Sequence, residues 1–243
     1  MKKTRIDRLL VERGLADSRE KARALIMAGD VLVEDQPVLK AGAGVDAGAR
    51  LRLRRPPHPY VGRGGVKLRG ALDAFGIDVA GRISADIGAS TGGFTDCLLR
   101  AGARRVYAID VDTDQLDWRL RQDLRVRTVC INARHLDRSA LPEAVDLVTV
   151  DVSFISVAKI LPGVVEILGP GGNALILVKP QFEVGRKKVG KGGIVGDPGL
   201  HREAVGGIVQ EALRLGFEHR GASPAAITGK QGNQEFFIWL RRS

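Results

Sequence analysis

The stretch DIGASTGGFTDCLL, residues 86–99, decides the fold of this chain. It follows an apolar segment that predicts a β-strand, and it leads into a segment with helical periodicity. Gly88, Gly92 and Gly93 let a ligand approach the backbone of the connecting turn closely. A strand, a glycine-rich turn and a helix in this order are typical of a parallel sheet that binds a nucleotide-type cofactor at its strand ends.

The spacing of this turn, D-x-G-x-x-x-G, narrows the kind of ligand. It is not the G-x-G-x-x-G of dinucleotide-binding enzymes, and no lysine follows the glycines, which excludes a P-loop. The acidic Asp86 repels phosphates but suits a cationic ligand. The methionine part of S-adenosylmethionine (SAM) carries an ammonium and a sulfonium, so SAM fits this turn better than a pyrophosphate does.

Two further polar residues end neighbouring strands. Asp110 ends the strand after the turn, where an acid typically accepts hydrogen bonds from ribose hydroxyls, with Asp112 as the alternative. Asn132 ends the third strand and is placed to hold the edge of an adenine. For Asp110 and Asn132 alike, a capping role in a turn is the alternative interpretation. The predicted cofactor-binding set is Asp86, Gly88, Ser90, Thr91, Gly92, Gly93, Phe94, Asp110 and Asn132.

Strand and helix patterns alternate along the rest of this region. We expect strands at residues 82–87, 105–109, 126–131, 145–150 and 173–178, and helices at 67–75, 92–101, 115–122, 156–168 and 201–215. This alternation predicts an α/β fold with a largely parallel sheet covered by helices on both faces. Strands 217–222 and 236–240 follow each other without a helix, so we expect the last strand to be antiparallel.

Prolines divide the chain. RRPPHP, residues 54–59, cannot continue a helix or a central strand and predicts a stiff linker. We therefore expect a small α+β domain at residues 1–55, a proline-rich linker at 56–62 and the large domain at 63–243. Residues 183–198, EVGRKKVGKGGIVGDP, are rich in glycine and lysine without periodicity, which favours a lid-like loop.

The composition limits partners and compartment. The chain has 243 residues and a net charge of +10, an excess that fits a polyanionic partner or anionic surface and fits simple solubility about equally well. No apolar run approaches the ~20 residues of a membrane helix, and no signal core follows MKKTRIDRLL. We expect a cytoplasmic protein with no stable membrane partner and no metal site. Cys97 and Cys130 lack metal-ligand spacing, and we expect both to be reduced thiols in the core.

Basic residues collect in the small domain. Helices expected at residues 5–13 and 19–28 place six cations on roughly one side, namely Arg5, Arg8, Arg13, Arg19, Lys21 and Arg23. Such a face suits phosphate binding, and a merely solvated basic face is the alternative. The string R-x-x-A-x-x-L-I-x-x-G-x-V-x-V at residues 19–33 resembles the S4 RNA-binding domain. The resemblance implies structured RNA as partner. From the positions of the cations, the predicted RNA-binding residues are Arg5, Arg8, Arg19, Lys21, Arg23 and, in the large domain, Arg63.

Four charged residues stand at the ends of predicted elements. Asp151 ends VDLVTVD, Lys179 ends ALILVK and Glu235 opens EFFIWL, and Lys67, in GRGGVKL, begins the first helix of the large domain. A neutral lysine can accept the proton of a hydroxyl nucleophile, and carboxylates can orient the amine and the hydroxyl. Structural ion pairs are the alternative. Lys179 is the better choice of base because it follows a buried apolar run, but Lys67 remains open.

The large domain is similar to FtsJ/RrmJ-type 2′-O-ribose methyltransferases. The strings that carry this resemblance are GRGGVKL, DIGASTGGFTDCLL, DVSFIS, LVKPQFE and GKQGNQEFF. With the S4-like head they resemble the TlyA family over almost the whole chain. That family is often labelled hemolysin and includes rRNA cytidine 2′-O-methyltransferases.

The resemblance implies a Rossmann-like SAM-dependent methyltransferase with Lys67, Asp151, Lys179 and Glu235 as its catalytic set. It also implies ribosomal RNA or ribosomal subunits as substrate. Some members carry an Arg/Trp-containing linker tetrapeptide where this chain has HPYV at residues 58–61. Further cations extend the predicted RNA track: Arg63, Arg69, Arg134, Lys187, Lys188 and Lys191.

Two other functions stay open at this point. One is a non-catalytic RNA-binding or ribosome-assembly factor, against which the complete charged set and glycine turn argue. The other is a membrane-active hemolysin, for which the chain offers no membrane span and no long amphipathic apolar segment. We expect a monomer or a weak dimer.

Overall fold

The chain forms two compact units, Met1–Pro59 and Tyr60–Ser243, in a computed structural model that describes residues 3–54, 58–229 and 231–243. The linker expected at 56–62 falls partly on residues 56 and 57, which lie outside the described residues. Among the described residues, no helix is both long and apolar enough to cross a membrane.

The first unit is a small α+β domain. Its elements are β1 (Lys3–Arg5), α1 (Ile6–Glu12), α2 (Arg19–Met27), β2 (Val31–Val33), β3 (Gln36–Pro37), β4 (Gly44–Asp46) and β5 (Leu51–Leu53). β1 pairs with β4, and β2 lies between β3 and β5, all antiparallel. Ile6, Leu10, Ala22, Ile26 and Val31 form its buried core.

Local signals explain the elements of this unit. α2 begins where the Ser18 hydroxyl accepts a hydrogen bond from the Lys21 amide at 3.1 Å, which is an N-cap. The helix ends before Gly29, whose φ of 72° is the left-handed conformation that closes helices. The turn between β2 and β3 also needs positive φ, which Glu34 and Asp35 adopt at 48° and 65°.

The second unit is a seven-stranded sheet with helices on both faces. Its elements are α3 (Gly64–Phe75), β6 (Ile83–Ile87), α4 (Gly93–Arg100), β7 (Arg105–Asp110), α5 (Trp118–Arg121), β8 (Val126–Cys130), β9 (Val145–Val150), α6 (Leu161–Ile167), β10 (Leu168–Val178), α7 (Pro180–Glu183), α8 (Pro198–Arg214), β11 (Phe217–Pro224) and β12 (Phe236–Arg242). The strand order is β11-β12-β10-β9-β6-β7-β8. β12 is antiparallel to both of its neighbours, and the other pairs are parallel, which confirms the predicted fold class.

The central strands bury both of their faces. Leu147 and Val148 on β9 belong to different core clusters, and so do Leu175 and Ile176 on β10. Successive side chains of a strand point to opposite faces, so each strand contributes to the core on both sides of the sheet. Burial of one such side chain is worth about 1.5–3 kcal/mol, so these strands hold the sheet rigidly beneath their ends.

Two predicted helices are shorter than the sequence pattern indicated. The segment expected as one helix at residues 115–122 is a 3₁₀ turn, Thr113–Gln115, followed by α5, because the Asp117 side chain caps the Arg119 amide between them. The helix expected at 156–168 likewise divides into a 3₁₀ turn, Val157–Lys159, and α6. Pro162 lies in the first turn of α6, where its missing N–H is tolerated.

The two cysteines have different environments. Cys97 on α4 is buried, as predicted, but the prediction was wrong for Cys130, which is exposed. Cys130 ends β8, the strand at one edge of the sheet, and its thiol donates to the Val111 carbonyl at 3.3 Å. Burial raises the pKa of the Cys97 thiol to about 12.

We expect a thiol reagent such as iodoacetamide to modify Cys130 and to spare Cys97 in the folded chain. The thiolate is the reactive form, and burial both shields Cys97 and disfavours its ionisation. Peptide mass spectrometry after timed alkylation at pH 8 measures both rates, and alkylation in urea serves as the control in which the two rates converge. Equal modification of both thiols under native conditions would contradict the placement of Cys97.

Candidate active site

Three of the four predicted catalytic residues meet at one edge of the sheet. Asp151 follows β9 and Lys179 follows β10, and these strands are parallel, with Val150 beside Ile176. Glu235 immediately precedes β12, which runs antiparallel to β10 with Phe236 opposite Val178. The start of β12 therefore lies beside the end of β10, and all three charges stand at the carboxyl ends of the parallel strands, where open α/β sheets bind ligands.

Lys179 is held by two oxygen atoms. Its Nζ lies 2.6 Å from Asp151 Oδ1 and donates a hydrogen bond to Ser153 Oγ at 2.9 Å. The side chain of Lys179 is mostly buried, and that of Asp151 is partly exposed. Ser153 was not predicted as a site residue, and its only signal is its place two residues after Asp151. These contacts fix the amine at the mouth of the site.

Lys67 and Glu235 form the second ion pair. Lys67 projects from the first turns of α3, and its Nζ donates to Glu235 Oε2 at 2.5 Å. Both side chains are buried, so each charge depends on the other: removal of one partner would leave an unpaired charge in a low dielectric. Gly229 makes room for this carboxylate, because a Cβ at that position would lie 2.5 Å from Glu235 Oε1.

The glycine turn is packed directly against the end of β9. Gly88 has a φ of 84°, and a Cβ on it would lie 2.6 Å from the main-chain oxygen of Asp151. Gly92 has a φ of 96°, and a Cβ there would overlap a methyl carbon of Leu120. Only glycine fits either position, so the turn requires these residues for its shape as well as for access to its backbone.

Asp86 does not face the site, which corrects the reasoning that its charge meets a cationic ligand. Its carboxylate is fully buried and accepts hydrogen bonds from Thr95 Oγ1 at 2.7 Å and Thr149 Oγ1 at 3.3 Å. Burial raises the pKa of Asp86 to about 7, the Asp151 charge adds to this rise, and the threonine hydroxyls oppose it. Asp86 therefore holds the start of α4 to β6 and β9 beneath the turn.

A cavity of about 460 Å³ opens beside the turn. Asp110 lines it, and its carboxylate accepts the Ser90 amide at 2.8 Å, so it ties the turn to the end of β7. Asn132 also lines it, with its side-chain oxygen capping the Arg134 amide at 3.1 Å. The apolar wall consists of Ile109, Val111, Ile131, Val152, Ile155 and Ile160.

A second cavity of about 200 Å³ continues the first toward the ion pairs. The two cavities share Gly88, Ser90, Asp151 and Ser153. The other residues that line the smaller one are Gly62, Arg63, Gly64, Ala89, Thr91, Gly93, Phe94 and Lys179. An apolar pocket with an acid at a strand end, leading to a narrow polar cavity beside a glycine turn, fits an adenosine group joined to a short charged chain.

A third cavity, of about 620 Å³, adjoins the first at Arg134, Phe154 and Ile155. Phe154 is 90% exposed, has a φ of 65° and lies 5.3 Å from the ring of Phe182, centroid to centroid. Lys159 and Arg186 add positive charge to this cavity. A strained, exposed aromatic side chain is a sign of function, and sequence reasoning missed it because the left-handed backbone leaves no pattern in a non-glycine residue.

The loop that carries Phe154 is anchored by Glu183. The Glu183 carboxylate accepts the Ser156 hydroxyl at 2.6 Å and the Val157 amide at 3.0 Å, and burial raises its pKa. The segment predicted as a lid is anchored as well. Asn233 accepts the Val195 amide at 2.9 Å and donates to the Gly193 carbonyl at 2.8 Å, which ties this segment to the stretch that precedes Glu235.

The predicted RNA-binding residues are distributed over several contacts. Arg5 and Arg19 bind the Asp7 carboxylate, and Arg23 lies near it. Arg8 pairs with Glu12 on the same helix. The remaining two bind main-chain oxygens: Lys21 binds that of His58, and Arg63 that of Thr228.

We expect the substitution Asp86→Asn to remove a pH dependence of stability between pH 3.8 and about 7. In that window the unfolded chain has lost the Asp86 proton and the folded chain keeps it, so the free energy of unfolding falls as pH rises, by at most about 1.4 kcal/mol per pH unit. Asparagine does not titrate, so the variant gains stability relative to the natural chain across this window.

Urea unfolding at pH 4, 5.5 and 7 measures this difference. The same substitution at the exposed Asp78 is the control, and it should leave the pH dependence nearly unchanged. A difference between Asp86→Asn and the natural chain that stays constant with pH would show that Asp86 ionises normally in the fold.

Known proteins resemble this chain over both units. Residues 60–242 match the FtsJ-like methyltransferase family, and residues 4–51 match the S4 domain. A 16S/23S rRNA (cytidine-2′-O)-methyltransferase TlyA of Mycobacterium tuberculosis is 45% identical, with 99% of this chain and 90% of that protein covered. Hemolysin A of Brachyspira hyodysenteriae is 38% identical, with coverages of 96% and 97%.

The fold agrees with these matches. A solved structure described as that of a hemolysin from Streptococcus thermophilus has a TM-score of 0.79 and 41% identity, and the match covers 100% of this chain and 90% of that one. The cavities at the glycine turn lie at the carboxyl ends of the parallel strands, where open α/β sheets bind their ligands. This chain belongs to the FtsJ-like methyltransferase family of SAM-dependent enzymes and carries an S4 domain before its catalytic unit.

Proposed function

We propose that this protein methylates the 2′-hydroxyl of a cytidine in ribosomal RNA. The observation that carries the proposal is Lys179 between Asp151 and Ser153, at 2.6 and 2.9 Å, in the wall of the cavity that adjoins the glycine turn. The choice of ribosomal RNA and of cytidine is supported by the relative of Mycobacterium tuberculosis, whose name states both. SAM supplies a methyl group made electrophilic by its sulfonium.

Lys179 serves as the general base in this proposal. A ribose hydroxyl becomes an effective nucleophile when its proton has an acceptor within hydrogen-bond reach. The neutral amine of Lys179 takes the proton and becomes an ammonium, which Asp151 then stabilises as its ion-pair partner. Ser153 keeps the amine oriented toward the cavity. The groups that orient Lys179 and the amine that accepts the proton therefore lie together at the carboxyl ends of β9 and β10.

Lys67 and Glu235 have a positioning role. Lys67 and Lys179 are equally buried, and each is paired with a carboxylate, at 2.5 and 2.6 Å. We assign the base to Lys179 because, of the two, it is the one that lines the cavity. The pair ties α3 to the start of β12. Because Gly64 on the same helix lies close to Asp151 and Phe94, this bond keeps that helix against the cofactor turn.

Phe154 and Phe182 offer the acceptor nucleoside a flat apolar surface. The cavity that they line adjoins the predicted cofactor cavity and contains Arg134, Lys159 and Arg186, which suit RNA phosphates. Stacking on aromatic rings is a common way to hold an unpaired base. A backbone strain of roughly 1–3 kcal/mol at Phe154 is consistent with a side chain that is kept exposed for a ligand.

The S4 unit supplies the remaining contacts with RNA. It matches a family of RNA-binding domains and contains most of the predicted RNA-binding arginines. A ribosomal substrate places the protein in the cytoplasm, and free rRNA and assembled subunits are both possible acceptors.

The substitution Lys179→Ala should lower kcat for methyl transfer by about 100-fold or more and leave RNA affinity within about twofold. The measurement is transfer of tritium from labelled SAM to free rRNA and to each ribosomal subunit, with alkaline hydrolysis to locate the 2′-O-methyl group.

Arg214→Ala is the matched control, since it removes a cation from an exposed ion pair with Glu211 at the end of α8. Near-normal turnover of Lys179→Ala would exclude Lys179 as the base. An absence of label from any RNA with the natural chain, together with measurable RNA binding, would favour an RNA-binding or assembly factor instead.

The substitution Phe154→Gly should raise KM for RNA about tenfold without lowering the melting temperature. Glycine accepts the left-handed backbone of this position, so the variant relieves strain and loses the stacking surface together. Phe154→Tyr keeps an aromatic face and serves as the control. Unchanged KM in Phe154→Gly would show that the exposed ring does not contact the substrate.

A further inference from the structure

The S4 unit contains a buried carboxylate that collects arginine side chains. Asp7 on α1 is fully buried and accepts two hydrogen bonds from Arg5, Nε to Oδ1 at 3.1 Å and Nη2 to Oδ2 at 2.9 Å. Arg19 Nη2 donates to Oδ2 at 3.1 Å, and Arg23 Nε lies 3.6 Å from the same oxygen. Asp7 therefore joins three cations at one point.

The backbone holds Asp7 firmly in this place. The amide of Asp7 donates to the Ala41 carbonyl at 3.3 Å, and the preceding amide, of Ile6, donates to the Ala43 carbonyl at 2.9 Å. The Arg8 amide donates to Asp7 Oδ1 at 2.9 Å. The carboxylate is thus fixed from the main chain, and the arginines adapt to it.

The charges in this cluster do not cancel. One carboxylate faces three guanidinium groups, and these hold the pKa of Asp7 well below its usual range, chiefly through the hydrogen bonds from Arg5. The side chains of Arg5, Arg19 and Arg23 remain 51%, 55% and 54% exposed while that of Asp7 is 0% exposed. The surface that solvent meets is therefore positive, and the negative charge lies beneath it.

Each guanidinium keeps donors for a ligand. A guanidinium has five N–H groups, and Arg5 uses Nε and Nη2 on Asp7, which leaves its Nη1 group. Arg19 uses only Nη2. Forked N–H groups match the oxygens of a phosphate, and a side chain that is already ordered loses less conformational freedom when it binds.

We propose that Asp7 is a positioning residue that assembles Arg5, Arg19 and Arg23 into one phosphate-binding surface for the backbone of structured RNA. The proposal rests on the proposed function for the identity of the ligand. It goes beyond that function because it assigns a role in RNA binding to an acidic residue, which general electrostatics would place among the groups that oppose RNA.

A purely structural role is the competing explanation, since Asp7 on α1 also fastens Arg19 and Arg23 on α2. The two roles differ in one measurable respect. If Asp7 only stabilises the fold, its substitution lowers the stability of the unit. Each arginine then contributes the same free energy to RNA binding in every variant that remains folded. A positioning residue makes the contribution of the arginines depend on Asp7.

The test is a double-mutant cycle in the full-length chain with Asp7→Asn and Arg19→Gln. Binding of a fluorescently labelled RNA hairpin is measured by anisotropy at several salt concentrations without SAM, and circular dichroism confirms that each variant is folded at the temperature used. Asp7→Asn should weaken RNA binding about tenfold although it raises the net charge by one. The slope of log affinity against log salt concentration should become shallower by about 1 for each phosphate that the arginines no longer bind.

Arg19→Gln should weaken binding about tenfold in the natural chain and less than about twofold in the Asp7→Asn background. Asp35→Asn is the matched control, because Asp35 also pairs with two arginines, Arg50 and Arg52, but is itself exposed. Its left-handed backbone accepts asparagine, and we expect its RNA affinity to be unchanged or higher.

Equal or tighter RNA binding by folded Asp7→Asn would overturn the proposal, and so would an equal cost of Arg19→Gln in both backgrounds. If Asp7→Asn does not fold, Arg19→Lys is measured in its place. Lysine keeps the positive charge but lacks the forked N–H groups that pair with Asp7 and a phosphate, so we expect weaker RNA binding. An affinity equal to that of the natural chain would overturn the proposal.

The ligand class is tested separately with vesicles of phosphatidylglycerol. Asp7-dependent binding to vesicles but not to RNA would refute RNA as the ligand of this surface. Methyl transfer to rRNA by the natural chain, with RNA affinity that is insensitive to Asp7, would refute the role of Asp7 alone and leave the proposed function standing.

Discussion

The close approach of Gly88 to the main-chain carbonyl of Asp151 is the constraint on which the site depends. A single Cβ would come within 2.6 Å of that oxygen, so the glycine turn and the end of β9 can lie together only with glycine at this position. The Asp151 amide also donates to the Ile87 carbonyl at 2.9 Å. These contacts place the predicted cofactor turn and the residue that holds Lys179 in one rigid piece of the sheet.

The direction of the last strand completes this arrangement. If β12 were parallel to β10, Glu235 would stand at the opposite edge of the sheet from Lys179. The antiparallel register, with Val178 opposite Phe236, brings it to the same edge, where it pairs with Lys67 of α3. Each lysine is paired with a carboxylate, and of the two it is Lys179 that lines the cavity beside the glycine turn.

Buried acids have separate roles in the two units. Asp86 supports the cofactor turn from beneath through two threonine hydroxyls, and Asp7 supports a cationic surface from beneath through three guanidinium groups. The environments act on the two carboxyls in opposite directions: burial raises the pKa of Asp86, and the arginines lower that of Asp7. In both cases the acid is buried beneath a surface for which we propose a ligand.

The sequence by itself determined the fold class, the glycine turn and the four charges at element ends, because these depend on local periodicity and on the order of strands. It also indicated the antiparallel last strand, since no helix separates β11 from β12. Only the tertiary structure decided which way side chains face. The Asp86 carboxylate is buried, and the Cys130 thiol is exposed on a strand at the edge of the sheet. The Phe154 ring is exposed to solvent on a backbone with positive φ. Ser153 and Asn233 contact partners that are distant in sequence, and such contacts leave no local pattern because packing of the sheet and its loops sets them.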